Sequence, residues 1–293
     1  MKFAVIDIGA SSIRGDIYET SGGRPVRLFS AKSTARLTAF RRDGLLSAEG
    51  AALLTGVLAG FLRELAARGV GLPSVYPFAT ASLRGLRNAD EVIRAVRGAT
   101  GLSIRLLPGE EEAGMVFAAA RALLPGLRDG TIADIGGGST EIIRFRGGLT
   151  EHFASLPLGT LTTGKQAQAA GLNEAAHIRA ELDALPWLRE APGAAFVTGG
   201  TAKNLAAVHR KWKGIGGAMP DVYELPVADL AYIFGGMDGA LRAELLSRVP
   251  SDRAATLPRG ALILREVFSE YGSVAVLSCG VREGFAASLG VTG

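Results

Sequence analysis

Short apolar runs and longer segments of helical periodicity alternate along the chain. Runs that predict strands lie at 3–9, 13–18, 26–33, 75–80, 104–106, 131–146 (a hairpin), 153–159, 194–196 and 274–278. Apolar residues at helical spacing predict helices at 45–68, 88–97, 113–124, 161–171, 174–184, 202–209, 228–235, 239–247, 257–271 and 281–287. Ser47 and Asn88 stand where they would cap the first two helices. Because strands precede helices in both halves, the pattern predicts an α/β fold.

One short motif occurs twice and indicates an internal duplication. Asp-Ile-Gly followed by small and hydroxyl residues begins at Asp7 and again at Asp134, each time between two strand-like runs. Two such units far apart in the chain predict two similar domains that face each other. We place the boundary at the Pro125-Gly126 break, which gives domains at 1–125 and 126–280. A last helix at 281–293 is expected to complete the first domain.

The second copy of the motif carries the strongest chemical signal. Gly136, Gly137 and Gly138 let the backbone approach another molecule without a Cβ in the way. Their N–H groups can form a nest for an anion. Asp134 and Glu141 flank the glycines, and carboxylates are the hard oxygen ligands that Mg²⁺ takes. The stretch therefore predicts a phosphate and magnesium site, and the alternative is a plain hairpin with surface acids.

A further glycine turn, Gly199-Gly200, joins a strand to a helix. The N-terminus of such a helix can hold an anion. The Walker sequence GxxxxGK[ST] is absent from the chain, so phosphate binding of the P-loop type is not expected. Lys203, Arg210, Lys211 and Lys213 follow the turn and could attract a long polyanion, although a solvated helix face is the commoner meaning of such a cluster.

Composition and charge narrow the class of protein. The 293 residues include 48% hydrophobic and 20% charged residues, which is typical of a globular chain that can hold two domains. The net charge of +4 favours anionic partners but falls short of a nucleic-acid-binding tail. Cys279 is the single cysteine, so an internal disulfide is excluded and a cytoplasmic location is predicted. The longest uncharged run, 50–62, has 13 residues, which is shorter than a membrane span, and no signal peptide is recognised.

Seven short motifs follow one another along the chain: DIGASSIR at 7–14, ATASLR at 79–84, GEEEA at 109–113, DIGGGSTE at 134–141, SLPLG at 155–159, GGTAKNL at 199–205 and GVREG at 280–284. In this order they resemble the motifs of the exopolyphosphatase/guanosine pentaphosphate phosphohydrolase (Ppx/GppA) family. The resemblance implies the two-domain α/β fold of actin, Hsp70 chaperones and sugar kinases, with ribonuclease H-like halves. The chain departs from the family pattern at Ala10-Ser11, where a serine–asparagine pair is usual, and at Gly85 and Ala255, where acids are usual. It also stops where longer members continue into helical domains, including an HD-like one.

The resemblance also implies a reaction, the Mg²⁺-dependent (or Mn²⁺-dependent) hydrolysis of a terminal phosphoanhydride. The substrates it implies are inorganic polyphosphate and the γ-phosphate of pppGpp. Glu112 matches the glutamate that orients or deprotonates water, with Asp134 and Glu141 as the other catalytic acids and Asp7 as a further acid at the metal. The residues expected to bind phosphate are Ser11, Arg14, Thr80, Arg84, Gly136, Gly137, Gly138, Ser139, Thr140, Gly199, Gly200 and Thr201.

Two alternatives keep the fold and change the function. One is an ATP-dependent small-molecule kinase, which the GEEEA and SLPLG motifs disfavour. The other is a non-catalytic binder of polyphosphate or (p)ppGpp, which the retained acids Glu112, Asp134 and Glu141 disfavour. Neither nucleic acid nor a membrane is expected as a partner. The sequence leaves the oligomeric state open, with a homodimer as one possibility, and it does not rank polyphosphate against pppGpp.

Overall fold

Each half of the chain builds an open β-sheet. The computed structural model describes residues 1–21, 24–190, 193–247 and 249–290. The strands are β1 (Lys2–Ile8), β2 (Ile13–Ser21), β3 (Arg24–Ser33), β4 (Arg41–Arg42), β5 (Leu45–Leu46), β6 (Val75–Ala79), β7 (Arg105–Leu106), β8 (Gly130–Ile135), β9 (Thr140–Arg146), β10 (Leu149–Leu156), β11 (Ala194–Thr198), β12 (Val222–Pro226) and β13 (Ser273–Leu277). The helices are α1 (Ala48–Ala67), α2 (Ala89–Thr100), α3 (Gly109–Leu123), α4 (Thr163–Ala169), α5 (Glu174–Asp183), α6 (Gly199–Trp212), α7 (Val227–Ala231), α8 (Gly239–Leu246), α9 (Ser251–Ala254), α10 (Leu257–Val267) and α11 (Val281–Gly290).

The chain divides into two compact units. The first unit holds Met1–Met115 together with the C-terminal segment from Val281, and the second unit holds Val116–Gly280. The division lies within α3, earlier than the predicted boundary at 125–126, because α3 continues as one helix to Leu123 and the Pro125-Gly126 break only follows its end. In the first unit, α11 packs against β1 and β3. Residues 291–293 of the predicted last helix lie outside the described residues.

The two units share one strand order. The first sheet runs β3-β2-β1-β6-β7, with β1 to β3 antiparallel and with β6 and β7 parallel to β1. The second sheet repeats this plan as β10-β9-β8-β11-β13. It adds β12 as an antiparallel edge strand, which the sequence analysis missed. The repeated order confirms the duplication that the motif at Asp7 and Asp134 predicts.

The helices cover the sheets and share each core with the strands. In the first unit the core combines β1 and β2 with α1 and α2, and in the second it combines β8, β9 and β11 with α5, α6 and α10. In the described part of the chain, α1 is the one helix long and apolar enough to cross a membrane by length and composition, with a mean hydropathy of 1.4. Leu54, Leu58 and Leu65 of α1 are fully buried in the first unit's core, and the core helix of a folded unit meets the same criterion.

The two predicted helix caps have different outcomes. Ser47 is confirmed, because its hydroxyl accepts the N–H of Gly50 at 3.2 Å and so satisfies one unpaired donor of the first turn. The prediction that the Asn88 side chain caps α2 is wrong, although Asn88 does precede that helix. Its amide instead bonds both the N–H and the carbonyl of Leu46, at 3.0 and 2.9 Å, and ties β5 to the start of α2.

Candidate functional site

In the second unit, the glycine motifs lie together at the carboxyl edge of the sheet. Strands β8 and β11 are parallel, and Asp134 is the register partner of Thr198. The glycine turns at Gly136 and Gly199 therefore both leave the sheet at the same edge. Open α/β sheets bind ligands at this edge. Gly199 has a φ of +86°, and a Cβ there would overlap the Oδ1 atom of Asp134. Only glycine therefore allows the carboxylate to lie against the first residue of α6.

The two acids of the second unit's motif face each other. Asp134 and Glu141 are register partners in the antiparallel pair of β8 and β9. Glu141 is 2% exposed, and its Oε1 accepts hydrogen bonds from the Ser139 and Ser155 hydroxyls, both at 2.8 Å. Side chains directly opposite each other on such strands have Cβ atoms about 5 Å apart, and like charges there are destabilising. A cation between or beside them would remove that cost.

This donor set suits Mg²⁺. The ion takes only one or two carboxylates and keeps waters and phosphate oxygens for the remaining positions. Among the residues that the structure describes, no group of three or more His, Cys, Asp or Glu side chains forms a metal site by itself. A facing pair of carboxylates beside a glycine-rich turn therefore fits Mg²⁺, whereas a zinc-type cage would need more protein ligands.

The glycine run presents its N–H groups in one direction. The carbonyls of Gly136 and Gly137 accept the N–H groups of Thr160 and Leu161 at 3.1 and 2.9 Å. The Gly138 carbonyl accepts the Thr162 hydroxyl at 3.3 Å. Each carbonyl shares a trans peptide with the next N–H, which points the opposite way. The N–H groups of residues 137–139 therefore point away from the 160–162 segment, as an anion nest requires.

Gly159 allows this close packing, and its replacement is a test of the nest. A Cβ at Gly159 would overlap the backbone of Gly137 and Gly138. We expect Gly159→Ala to destabilise the second unit by about 1–3 kcal/mol, as overpacking does, and to weaken phosphate binding. Thermal unfolding and phosphate titration measure both effects. Gly239→Ala, where a Cβ meets nothing within 4 Å, is the control, and equal behaviour of the two variants would contradict the packing argument.

In the first unit, the matching hairpin places an arginine where the second unit has an acid. Asp7 is the register partner of Arg14, as Asp134 is of Glu141. The Gly9 N–H donates to the Ser12 carbonyl at 3.1 Å, and the Gly136 N–H donates to the Ser139 carbonyl at 2.9 Å, so both turns close alike. The duplication therefore holds in the turn geometry, while the charge opposite the aspartate differs.

Asp7 lies in an unusual electrostatic environment. Burial raises the pKa of Asp7 to about 6, and the nearby cations Arg282 and Arg14 only partly offset this effect. The Nε of Arg282 is 3.8 Å from the Asp7 carboxylate, and the other end of the same guanidinium bonds the fully buried Asp16. Arg282 belongs to the GVREG motif, and the sequence analysis gave it no role.

The raised pKa of Asp7 predicts a pH dependence of stability. A folded-state pKa of about 6 against an ordinary value of 3.8 means that the folded chain holds the proton more tightly. In chelator, the Asp7 contribution to the free energy of unfolding should be fully present below pH 3.8 and lost as the pH rises through about 6. Thermal unfolding of the wild type and Asp7→Asn across this range measures it. A constant difference between their unfolding temperatures would show that Asp7 titrates normally.

Glu112 is distinguished from its neighbours by burial. Of the three acids in the first turn of α3, Glu110 is exposed, Glu111 is half-buried and Glu112 is 6% exposed. The Nη1 of Arg84 donates to the Glu112 carboxylate at 2.9 Å and to the Leu107 carbonyl at 3.2 Å. The structure thus brings together two of the predicted first-unit residues, and the arginine fixes the carboxylate's position.

The remaining predicted residues have mixed environments. Ser11 and Thr80 are largely buried in the first unit, each 8% exposed. In the second unit, the Thr140 hydroxyl donates to the Leu158 carbonyl, so it stabilises the SLPLG segment instead of facing a ligand. Thr201 is 3% exposed, and its methyl group lies against Gly260 of α10. Thr140 and Thr201 are therefore better placed to brace the turns than to bind phosphate.

Sequence reasoning missed Arg253 of α9. Its guanidinium lies at 3.6 Å from the position of a Cβ on Gly200, so it lies over the first turn of α6. An arginine beside a helix N-terminus provides a bidentate donor for a phosphate held there. The only sequence signal was a single basic residue in an otherwise uninformative helix.

The basic cluster after the glycine turn is used within the second unit. The ammonium groups of Lys203 and Lys211 donate to the carbonyls of Ser278 and Glu244, both at 2.5 Å. Arg210 is 8% exposed and donates to the Gly216 carbonyl at 2.6 Å, and Lys213 is 3.1 Å from Asp229. These contacts give the four side chains a structural role within the second unit, and Lys213 has an acidic partner there.

The sequence pattern of the Ppx/GppA phosphatase family matches residues 17–290. The chain belongs to this family. It is 33% identical to an uncharacterised protein of Streptomyces coelicolor, covering 97% of this chain and 89% of that one. It is 30% identical to exopolyphosphatase 1 of Mycobacterium tuberculosis, covering 97% of this chain and 87% of that one. The family resemblance predicted from the motifs is thus confirmed.

Solved structures of the Ppx/GppA family show the same fold. An exopolyphosphatase from Cytophaga hutchinsonii superposes with a TM-score of 0.85 at 18% identity, covering 100% of this chain and 98% of that one. The Aquifex aeolicus family member superposes with a TM-score of 0.78 at 22% identity, with the same coverage. Together with the repeated strand order, these matches confirm the actin-like fold class, and the family assignment makes the protein a phosphatase.

Proposed function

We propose that this Ppx/GppA protein hydrolyses the terminal phosphoanhydride of inorganic polyphosphate and releases phosphate, with pppGpp as a second substrate of the same chemistry. The observation that carries the proposal is the facing pair of Asp134 and Glu141 beside the N–H groups of residues 137–139. The mycobacterial relative's name, exopolyphosphatase 1, supports polyphosphate as the first substrate to test.

Each group has a defined task in the proposed reaction. Water attacks the terminal phosphorus, the bridging P–O bond breaks, and the shortened chain leaves with the bridging oxygen. Glu112 orients the water and accepts its proton, from a position that Arg84 fixes. The N–H groups of residues 137–139 donate to phosphate oxygens. Phosphoryl transfer needs mainly this positioning and charge stabilisation, with little covalent help from the protein.

Asp134 and Glu141, with Asp7 as a further acid, are the residues we propose to hold Mg²⁺. When bound, the ion neutralises phosphate charge and favours departure of the leaving oxygen. The Ser139 and Ser155 hydroxyls fix the orientation of the Glu141 carboxylate. Such supporting hydrogen bonds hold a ligand in place for the metal. We also propose a cytoplasmic location, since buried Cys279 is the single cysteine.

The deciding experiment measures phosphate release from long polyphosphate, tripolyphosphate and pppGpp side by side, with Mg²⁺, with Mn²⁺ and with chelator. We expect release that requires the metal and proceeds from the chain end. An ATPase activity that appears only with added sugars would support the kinase alternative. Tight polyphosphate binding without any release would support the non-catalytic binder.

A further inference from the structure

An ion pair behind the glycine run connects two helices to the nest. Arg259 of α10 donates to both carboxylate oxygens of Glu174 in α5, from Nε at 2.8 Å and from Nη2 at 2.6 Å. Its remaining group, Nη1, donates to the carbonyl of Thr160 at 2.8 Å. All three nitrogen atoms of the guanidinium therefore donate hydrogen bonds, a planar arrangement that the single ammonium group of a lysine could not reproduce.

The Thr160 carbonyl is the start of a hydrogen-bonded chain of peptides. It shares a peptide with the N–H of Leu161, which donates to the Gly137 carbonyl at 2.9 Å. The Gly137 carbonyl in turn shares a peptide with the N–H of Gly138, which belongs to the nest. We propose that Arg259 is a positioning residue for catalysis, which acts through the Thr160–Leu161 and Gly137–Gly138 peptides to aim and polarise the Gly138 N–H at a bound phosphate.

Physical chemistry supports both parts of this role. Hydrogen bonds in a chain polarise one another, so a cation at one end strengthens the donor at the other. Arg259 lies two peptides from the nest, and its charge is held in place by Glu174. Hydrogen bonding from Arg259 lowers the pKa of Glu174, and the same contact raises the pKa of Arg259. The pair therefore remains ionised at neutral pH.

At two positions beside the Arg259–Glu174 ion pair, only glycine leaves enough room for the observed contacts. A Cβ at Gly164 would come within 2.6 Å of Arg259 Nη2 and 2.9 Å of Glu174 Oε1, so a side chain there would displace the ion pair. A Cβ at Gly260 would overlap the Thr201 methyl group and lie 3.4 Å from that of Thr160. The Arg259-Gly260 step of α10 thus contacts both the segment behind the nest and the first turn of α6.

The chain offers a matched control for this ion pair. Arg179 of α5 and Glu266 of α10 form another Arg–Glu pair between the same two helices, at 3.1 Å. Among the hydrogen bonds of the described residues, Arg179 makes this side-chain bond and has no bond to Thr160. Arg179→Met therefore removes a comparable inter-helix ion pair without touching the peptide chain that leads to the nest.

The test compares Arg259→Met, Glu174→Gln and Arg179→Met in three measurements: amide ¹H–¹⁵N shifts of the free protein, the Kd of inorganic phosphate, and kcat and KM for tripolyphosphate with Mg²⁺. In Arg259→Met we expect the Leu161 and Gly138 amide protons to move upfield. We also expect the phosphate Kd to rise and kcat to fall by about tenfold or more, as small misplacements of a catalytic group do. Glu174→Gln should have an intermediate effect, and Arg179→Met should match the wild type.

The inference rests on the proposed function only for the kinetic measurement. If the wild type releases no phosphate from any polyphosphate, the proposed function fails, while the amide shifts and phosphate binding still decide the role of Arg259. Gly138 and Leu161 shifts in Arg259→Met that equal those of Arg179→Met would overturn the inference. Should Arg259→Met fail to fold, Arg259→Gln, which also removes the positive charge, replaces it, and wild-type Gly138 shifts with wild-type phosphate affinity in that variant would overturn it equally.

Discussion

Glu112→Gln is expected to lower kcat for phosphate release by about 10³-fold, within the range that general acid–base groups contribute, while polyphosphate binding changes little. Glutamine keeps the shape of the side chain and can still accept the 2.9 Å hydrogen bond from Arg84. It cannot accept a proton from water. Binding should survive because the nest at residues 137–139 is unchanged. Single-turnover release and a separate binding titration measure the two effects.

Glu111→Gln provides the control for that result. Glu111 belongs to the same helical turn but is half-buried and pairs with the exposed Arg105 at 2.6 Å. Its loss should change the rate by no more than about a few-fold, since exposed ion pairs contribute little. If Glu111→Gln and Glu112→Gln slow the reaction equally, the helix as a whole matters and Glu112 has no special role. If Glu112→Gln keeps the wild-type rate, another group activates water.

The duplicated architecture was predictable because short stretches of sequence, namely the apolar runs and the glycine turns, determine it. Asp7 and Asp134 each end an apolar run at a glycine turn, and the glycines impose the same backbone turn on both copies. Within each sheet, the parallel strands that follow then bring their carboxyl ends to the same edge as the turn. Local periodicity and turn chemistry thus predict the fold, the nest and the facing acids.

The supporting arginines were not predictable for a physical reason. Arg259 bonds a carbonyl at Thr160 and a carboxylate at Glu174, both far away in the chain. Every residue has a backbone carbonyl, so such a bond leaves no mark on the sequence. Asn88 fails as a cap for the same reason, because its partner is the backbone of Leu46. Burial, which distinguishes Glu112 from its acidic neighbours, likewise depends on packing from other elements.

Asp134→Asn is expected to lower Mg²⁺-dependent phosphate release by about 10³-fold, because a metal supplies several kcal/mol of charge stabilisation. The amide keeps the size of the side chain, so Gly199 still accommodates it. Asp129→Asn is the matched control, since Asp129 precedes the same strand and accepts the Gly147 N–H through Oδ1, which an amide oxygen can also do. That variant should keep its rate and its response to Mg²⁺.

Stability separates loss of the metal from loss of the fold in Asp134→Asn. In chelator the variant should unfold at the same or a slightly higher temperature than the wild type, because it removes one of two like charges that face each other across β8 and β9. Mg²⁺ should raise the unfolding temperature of the wild type, since a ligand that binds only the folded state stabilises it. It should not raise that of the variant. An inactive variant that still gains stability from Mg²⁺ would place the metal elsewhere, and one that unfolds much earlier in chelator would show that Asp134 acts through the fold, because a residue whose role is to hold the metal should affect stability only when the metal is present.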